Sequence, residues 1–257
     1  MTIVIMSWNW LTSLQKQCEF FTSCGHTVVI VDNMSTYPPL LKFLEECPYK
    51  VVSTKGIELS TYNRFVWEIP GLLDNVGEFY TVTDSDLGFE NVPKDFCEIL
   101  QSHIERTGGI LKCGLSIRIA DLPDNIYANR YVDAEKNNWG SLDEYGFHGV
   151  AVDTTFAVYS KERCRNIAGM WRPEGSPVPE SFLDNFYFYR SHRSPEPYTC
   201  SHLPWYMDIN NLSAEEQYMI KVSRHGSILF FKQIYAKELL EKYSITEHWI
   251  DPSTISQ

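Results

Sequence analysis

The stretch Thr27-Val-Val-Ile-Val31 decides the fold class of this sequence. All five residues are β-branched and four are apolar, which is typical of a strand buried on both faces of a parallel sheet. Turn and cap residues follow at 32–39, and apolar residues recur at helical spacing from Leu40 to Leu44. Residues 27–44 therefore predict a strand, a turn and a helix, the repeating unit of an α/β protein.

The same alternation extends to both sides of this unit. Further strands are predicted at residues 2–6, 50–53, 78–83, 109–118 and 154–159. Further helices are predicted at residues 11–21, 62–69, 93–105, from about 161, and at 213–223, where Ser213-Ala-Glu-Glu216 forms a capping box. Residues 171–197 are rich in Pro, Ser and Arg and predict a long surface loop with one short helix. The pattern favours a mixed, mostly parallel α/β sheet flanked by helices.

Composition excludes several classes of protein. The 257 residues carry a net charge of −11, and a chain this acidic repels phosphate backbones, so nucleic-acid binding is not expected. Hydrophobic residues make up 44% and aromatic residues 14%, which is enough for a sizeable core and excludes a disordered chain. No apolar run approaches the roughly 18 residues of a membrane span. The N-terminal segment lacks the basic region of a signal peptide.

Cysteine usage and the absence of internal boundaries complete the general prediction. The seven cysteines are scattered and form no C-x-x-C pair, which is typical of a reducing cytosol. The sequence contains no repeat, low-complexity segment or linker. A cytoplasmic protein with a single domain over residues 1–257 is expected, and its oligomeric state is left open.

Polar residues at the predicted strand ends are the first candidates for a functional site, because ligands of open α/β sheets gather at the carboxyl ends of the strands. They are Ser7-Trp8-Asn9, Asp32-Asn33 and Thr83-Asp84-Ser85-Asp86. The two aspartates form a D-x-D motif whose oxygens suit a hard cation such as Mn²⁺ or Mg²⁺. The alternative is that Asp84-Ser-Asp86 is only a polar turn. An EF-hand loop is excluded because its fifth position would be Gly88.

These motifs, in this order, resemble those of the GT-A (Rossmann-like) nucleotide-diphospho-sugar glycosyltransferases, family-2-like. The resemblance rests on Ser7–Leu14, Val29–Thr36 and Thr83–Asp86 and covers residues 1–90. A closer resemblance, to a small branch found in bacteria and large DNA viruses, rests on Asp32–Leu41, Cys113–Arg118 with Asp121–Asp124, Val152–Tyr159 and His202–Tyr206. It implies a GT-A fold in which residues 1–110 bind the nucleotide. Residues 111–257 would form the acceptor half and the C-terminal helices.

The resemblance also implies an activity and a set of site residues. It implies a hexosyltransferase-type enzyme that takes its sugar from a nucleotide-diphosphate sugar, with UDP preferred. Asp32 would accept a hydrogen bond from the base, with Asn33 and Asp84 near the ribose. Asp86 and His202, together with Asp84, would bind Mn²⁺ or Mg²⁺ beside the two phosphates; the alternative for His202 is a buried structural histidine. The other implied donor contacts are Ser7, Trp8, Asn9, Arg64, Ser85 and Trp205.

The acceptor side needs a base if the sugar is transferred with inversion, because a carboxylate must take the proton of the attacking hydroxyl. Asp153 is the first candidate, and its alternative role is a backbone hydrogen bond at the start of a strand. Asp121, Asp124 and Glu180 are rival bases. The expected acceptor is a glycan or a protein-linked glycan.

Two functions from other classes remain open. A haloacid-dehalogenase-like phosphatase also places a D-x-D motif after a buried strand, with the first aspartate as nucleophile. A non-catalytic module that binds a nucleotide sugar or a glycan is the second.

Two further predictions concern the protein surface. His26 and His248 are expected to be exposed because they occur in a turn and in the C-terminal tail. Asp133-Ala-Glu135 is expected on the solvated face of a helix.

Overall fold

The computed structural model describes residues 1–57, 66, 69–152, 155–167, 190–224 and 226–246. Within these ranges the chain forms one main sheet of seven strands. In chain order they are β1 (Thr2–Ser7), β2 (Thr27–Asp32), β3 (Lys50–Ser53), β4 (Phe79–Asp84), β6 (Lys112–Gly114), β8 (Ala157–Ser160) and β9 (Ser191–Arg193). A smaller sheet contains β5 (Leu87–Gly88), β7 (Ser116–Ile117) and β10 (Thr199–His202).

The main sheet is mixed and mostly parallel, which confirms the predicted architecture. Its strand order is β3-β2-β1-β4-β8-β6-β9. The first four strands of this order are mutually parallel, β8 is antiparallel to both of its neighbours, and β9 is parallel to β6. In the register, Ser7 is opposite Asp32, and Met6 is opposite Asp84. The carboxyl ends of β1, β2 and β4 therefore share one edge of the sheet.

The described residues also form eight α-helices. They are α1 (Thr12–Ser23), α2 (Pro38–Glu46), α3 (Phe96–Arg106), α4 (Ile126–Glu135), α5 (Lys161–Ile167), α6 (Ala214–Val222), α7 (Gly226–Ile234) and α8 (Ala236–Tyr243). The predicted capping box is present at the start of α6. The Glu216 N–H donates to Ser213 Oγ at 3.2 Å, and the Ser213 N–H donates to the Glu216 carboxylate at 2.7 Å. Among the described residues, no helix is both long and apolar enough to cross a membrane.

Strand β1 is buried on both faces, as the apolar runs predict. Ile3 and Ile5 belong to a core that also contains the aromatic cluster of α1 and α3, whereas Val4 and Met6 face a second core on the other side of the sheet. This alternation follows from the two-residue period of a strand. A third apolar cluster packs Trp10 against the C-terminal helices. That cluster places the C-terminal helices next to the end of β1.

Two predictions for the second half of the chain are wrong. The strand predicted at 109–118 is divided into β6 and β7, which lie in different sheets. The pairing with β8 ends at Gly114, opposite Ala157, followed only by the hydrogen bond from the Leu115 N–H to the Phe156 carbonyl, and β7 pairs with β10 instead. The surface loop predicted at 171–197 is interrupted by β9, which pairs with β6 in the main sheet. The helix predicted at 62–69 lies almost entirely outside the described residues.

One surface prediction is wrong, and a second holds for Asp133 and Ala134 but not for Glu135. His26 is buried, and its ring meets that of Phe96 edge-on at a centroid distance of 5.7 Å. Glu135 is the last residue of α4, and its carboxylate turns inward and pairs with the buried Arg193 of β9. The ion pair explains the burial, because a carboxylate is rarely buried without a cationic partner. His248 lies outside the described residues.

Candidate active site

A cavity of about 760 Å³ lies at the carboxyl ends of β1 and β4. This size is typical of sites for small molecules and cofactors. Seven of the residues predicted from the sequence line it, namely Ser7, Trp8, Asn33, Asp84, Asp86, His202 and Trp205. The lining also includes Tyr131 of α4 and residues between Met219 and Ile228. The cavity is thus built from the first strands of the sheet and from the C-terminal helices.

Asp86 and His202 meet across this cavity although 115 residues separate them in the chain. Their approach is fixed by the antiparallel pairing of β5 with β10, in which His202 is opposite Leu87. The Leu203 N–H also donates to the Asp86 carbonyl at 2.9 Å. As a result, Asp86 Oδ2 lies 3.7 Å from His202 Nε2. Both side chains are mostly shielded from solvent.

The donor atoms of this pair fit a divalent cation. A separation of 3.7 Å is too long for a hydrogen bond. It is shorter than the sum of two metal–ligand bonds of about 2.1 Å each, so one ion can contact both atoms. Asp86 Oδ1 and His202 Nδ1 are buried and have no hydrogen-bond partner among the described residues. A carboxylate and an imidazole form a ligand set that suits Mn²⁺, and Asp84 lines the same cavity beside them.

Aromatic rings fix the position of His202. The His202 ring lies 4.6 Å from the Trp205 ring, measured between centroids. Trp205 in turn stacks on Tyr131 at 4.7 Å with an interplanar angle of 12°. The three rings form a continuous wall that restricts the imidazole and leaves an apolar surface facing the cavity. Such a surface suits stacking with a base or a sugar face.

Two residues predicted as donor contacts, Asn9 and Asp32, hold the loop after β2 in the structure. Asn9 Oδ1 accepts hydrogen bonds from the N–H groups of Thr36 and Tyr37, at 2.7 and 2.9 Å. Asp32 Oδ1 accepts from the Ser35 N–H at 3.1 Å. Both residues are buried, and neither lines the cavity. Asn9 has a positive φ of 59°, which asparagine tolerates better than most residues.

The other predicted residues are placed as follows. Ser85 is buried and its N–H donates to the Met6 carbonyl, so it links β4 to β1 and does not line the cavity. Arg64, Asp153 and Glu180 lie outside the described residues. Asp121 and Asp124 are described and lie outside the cavity lining.

Asp121 is engaged in contacts of its own. It pairs with Arg118 at 3.2 Å and accepts a hydrogen bond from the Tyr206 hydroxyl at 2.6 Å. Burial and this hydrogen bond raise the pKa of Tyr206 to about 12, so the hydroxyl keeps its proton and remains a donor. Asp124 accepts a hydrogen bond from the side chain of Asn129 at 3.0 Å.

The sequence reasoning missed Arg224, which lines the same cavity as the D-x-D motif. It is the only lysine or arginine among the cavity-lining residues that the structure describes, and it is exposed. Helix α7 begins immediately afterwards, and its first residues, Gly226, Ser227 and Ile228, also line the cavity. The start of a helix presents unpaired N–H groups and a partial positive charge. The apolar run from Ile228 after Gly226 was the available sequence signal for this helix.

Glu215 of α6 joins this helix to the segment that follows β1, next to the cavity. The Glu215 carboxylate accepts from the N–H groups of Leu11 and Thr12 at the start of α1. A carboxylate at this position caps the helix and complements its dipole. The contact connects the segment after β1, which carries Trp8 and Trp10, to the helix that carries Met219.

Comparison with known proteins gives matches to structures only. No family model matches the chain, and no curated protein matches it. Glucosyl-3-phosphoglycerate synthase from Mycobacterium tuberculosis, in a complex with Mn²⁺, UDP-glucose and glycerol 3-phosphate, matches at 15% identity and a TM-score of 0.39, over 63% of this chain and 56% of that chain. The structure of a mycobacterial protein matches at 12% identity and a TM-score of 0.44, over 75% and 64%. The chain thus covers less than two thirds of these proteins.

Proposed function

We propose that this protein is a metal-dependent glycosyltransferase that moves a sugar from a nucleotide-diphosphate sugar, with UDP as the expected nucleotide, to a glycan or protein-linked acceptor. The observation that supports this most is the meeting of Asp86 and His202 in a cavity at the carboxyl ends of parallel strands. Ligands of open α/β sheets bind at this place. In the proposal, residues 1–110 supply the nucleotide side and residues 111–257 the acceptor side.

Asp86 and His202, with Asp84 beside them, would hold Mn²⁺ or Mg²⁺. When bound, such an ion stabilises the negative charge of a departing diphosphate as a Lewis acid. The buried, unpartnered Asp86 Oδ1 supports the assignment, because a carboxylate can bind one ion through both oxygens and an uncompensated buried oxygen is costly. Asp86 is held by strand pairing and His202 by the Trp205 ring, so the two ligands are positioned before any ion binds.

The diphosphate is expected to lie between these ligands and Arg224. A guanidinium group binds phosphate oxygens through two parallel hydrogen bonds. The first N–H groups of α7 lie beside it and favour an anion in the same space. Two acidic residues and one arginine in the lining of one cavity suit a cation and a diphosphate bound next to each other.

The nucleoside is expected at the ends of β1 and β2. Trp8 lines the cavity there and offers a ring for stacking on the base, and Asn33 lines it beside Trp8. Ser7 also faces the cavity, whereas Asn9 and Ser85 belong to the scaffold that shapes it. Asp32 adjoins Asn33 and remains the proposed acceptor for a base N–H; Arg64 remains a proposed phosphate contact.

The transfer itself needs one more group. Asp153 is proposed to take the proton of the acceptor hydroxyl while the oxygen attacks the anomeric carbon, which gives inversion.

Thermal unfolding with nucleotide sugars tests the proposal. Each of UDP-, GDP-, dTDP- and CMP-sugars is added with Mn²⁺ or with a chelator. A ligand at a hundred times its Kd stabilises the folded state by about 2.7 kcal/mol. For a chain of this size that is a rise in Tm of roughly 5–10 °C. We expect this rise for the UDP-sugar with Mn²⁺ and not with the chelator.

Matched variants connect the rise in Tm to the site. Asp86→Asn is expected to abolish the metal-dependent rise, whereas Asp133→Asn, an exposed aspartate outside the cavity, should leave it unchanged. Circular dichroism confirms that each variant is folded. A full rise in Asp86→Asn would refute the metal site, and no rise with any nucleotide would refute the donor. Binding without release of nucleoside diphosphate would instead indicate a non-catalytic binding module, and phosphate release from phosphomonoesters would indicate a phosphatase.

A further inference from the structure

A second cluster of metal-binding side chains lies at the edge of the main sheet. His103 comes from α3, His192 from the edge strand β9, and Asp143 from the loop between α4 and β8. His103 Nε2 lies 2.9 Å from His192 Nδ1, His192 Nδ1 lies 3.0 Å from Asp143 Oδ2, and the third side of the triangle is 3.5 Å. None of the three residues lines the described cavity. The cluster is therefore separate from the proposed donor site.

We propose that His103, Asp143 and His192 form a zinc site. Zinc prefers four ligands in a tetrahedron, with bonds of about 2.0–2.1 Å to imidazole nitrogen and carboxylate oxygen, which requires about 3.3 Å between ligand atoms. The observed separations of 2.9, 3.0 and 3.5 Å approach this value. Two imidazoles and one carboxylate also match the ligand preference of zinc better than that of magnesium or calcium. The fourth position is left for water.

The hydrogen-bond geometry supports a cation between these atoms. His192 Nδ1 carries at most one hydrogen, yet it faces both His103 Nε2 and Asp143 Oδ2 at hydrogen-bond distance. One hydrogen serves only one of these acceptors well. A metal ion instead satisfies all three electron pairs at once.

The loop around Asp143 holds the carboxylate in position. Asp143 Oδ1 accepts hydrogen bonds from the N–H groups of Tyr145 and Phe147, at 2.8 and 2.9 Å, which turns Oδ2 toward the histidines. The His103 ring stacks on Phe147 at 3.7 Å with an interplanar angle of 5°. Partners of this kind orient metal ligands and strengthen metal binding. The three ligands are therefore preorganised by the fold.

The protonation states favour metal binding. His103 is fully buried, and burial lowers its pKa to about 4 against a smaller opposite effect of Asp143. The imidazole is therefore neutral near pH 7 and can offer Nε2 as a ligand. Burial raises the pKa of Asp143, but the N–H groups of Phe147 and Tyr145 and the two histidines outweigh it and hold that pKa below the usual range. Ligands that are already deprotonated release no proton when the metal binds.

A zinc ion at this site would stabilise the edge of the main sheet. Strand β9 has three residues; it pairs with β6, and its Arg193 also forms a single bridge with His148. Metal bonds from His192 to a helix and to a loop would fix this short strand in its register. We therefore expect zinc to stabilise the folded state, without any requirement for the nucleotide sugar.

Metal titration of the full chain tests the site. The background is the double variant Asp86→Asn, His202→Gln, which removes the ligands of the cavity site. After treatment with EDTA and dialysis, we expect this protein to bind one equivalent of Zn²⁺ and to show a higher Tm. With Co²⁺ in place of zinc, we expect the intense visible absorption of a four-coordinate ion.

Single substitutions in that background assign the ligands. Loss of a hydrogen bond that supports a metal ligand lowers metal affinity about 10–100-fold. His192→Gln and Asp143→Asn each remove a ligand itself, so each should lower the zinc affinity by more than this. His26→Gln, which alters another buried histidine, should leave it unchanged. Two results would overturn the proposal: an EDTA-treated protein that binds no Zn²⁺, or equal zinc binding with and without His192. Neither result bears on donor binding, so the two proposals fail independently.

Discussion

The burial of His103 predicts how stability depends on pH. Burial lowers the pKa of this histidine from 6.5 to about 4 in the folded protein. The unfolded chain therefore takes up the proton first when the pH falls. Above pH 6.5 the burial of neutral His103 does not reduce the free energy of unfolding. As the pH falls from 6.5 toward 4, protonation of the unfolded chain lowers that free energy progressively. The perturbation is a change from pH 7 to pH 4.5, compared between the natural chain and His103→Gln.

The magnitude follows from the two pKa values. With 6.5 in the unfolded chain and about 4 in the folded chain, the loss between pH 7 and pH 4.5 is about 2 kcal/mol. Asp143 adds little in this window because its folded pKa lies below the usual range. Arg106, which packs over the Tyr145 ring, stays charged throughout. His26, whose pKa is also lowered by burial, is present in both proteins and cancels in the difference.

Urea unfolding followed by tryptophan fluorescence measures this effect. EDTA is present at every pH so that bound metal does not contribute. We expect the natural chain to lose about 2 kcal/mol more than His103→Gln between the two pH values. Parallel curves for the two proteins would refute the reasoning, because they would show that His103 is protonated equally in both states.

Two packing predictions use the same measurement. Gly114→Ala should lower the free energy of unfolding by about 1–3 kcal/mol, because the new Cβ would lie 2.6 Å from Val152 Cγ1; a neutral effect would show that this segment moves freely. Arg193→Met should cost about 3–5 kcal/mol, because the buried Glu135 would lose its cationic partner. Lys136→Met removes an exposed ion pair and should lower the free energy of unfolding by at most about 1 kcal/mol. Equal losses in Arg193→Met and Lys136→Met would contradict the claim that burial makes the first ion pair matter more.

Local sequence patterns predict the elements that are stabilised locally. Strand β3 was predicted at the residues it occupies, and β2 and β4 to within a residue at each end, because short runs of β-branched and aromatic residues identify strands. Strands β5, β9 and β10 have two to four residues and were missed. These strands hydrogen-bond to partners that are far away in the chain. Because the partner is not local, the residues of so short a segment do not predict a strand.

The same distinction applies to the candidate sites. Asp84 and Asp86 follow a recognisable strand, so their place at the sheet edge is predictable from sequence. The approach of His202 to Asp86 was implied only by the resemblance, since it depends on the pairing of β5 with β10. The cluster of His103, Asp143 and His192 has no sequence signature at all, because three separate elements contribute one ligand each.

The cavity is lined by residues from early in the chain, such as Trp8 and Asp86, and by residues from late in the chain, such as His202 and Arg224. During synthesis the ribosome adds roughly 5–20 residues per second, so the D-x-D motif emerges on the order of ten seconds before His202. The parallel strands β1 to β4 can pair in that interval, whereas His202 and Arg224 are not yet made. The nascent chain would therefore acquire its fold before its binding site. A chain that ends before β10 would contain every strand of the main sheet but would lack His202 and Arg224, on which the proposed donor binding depends.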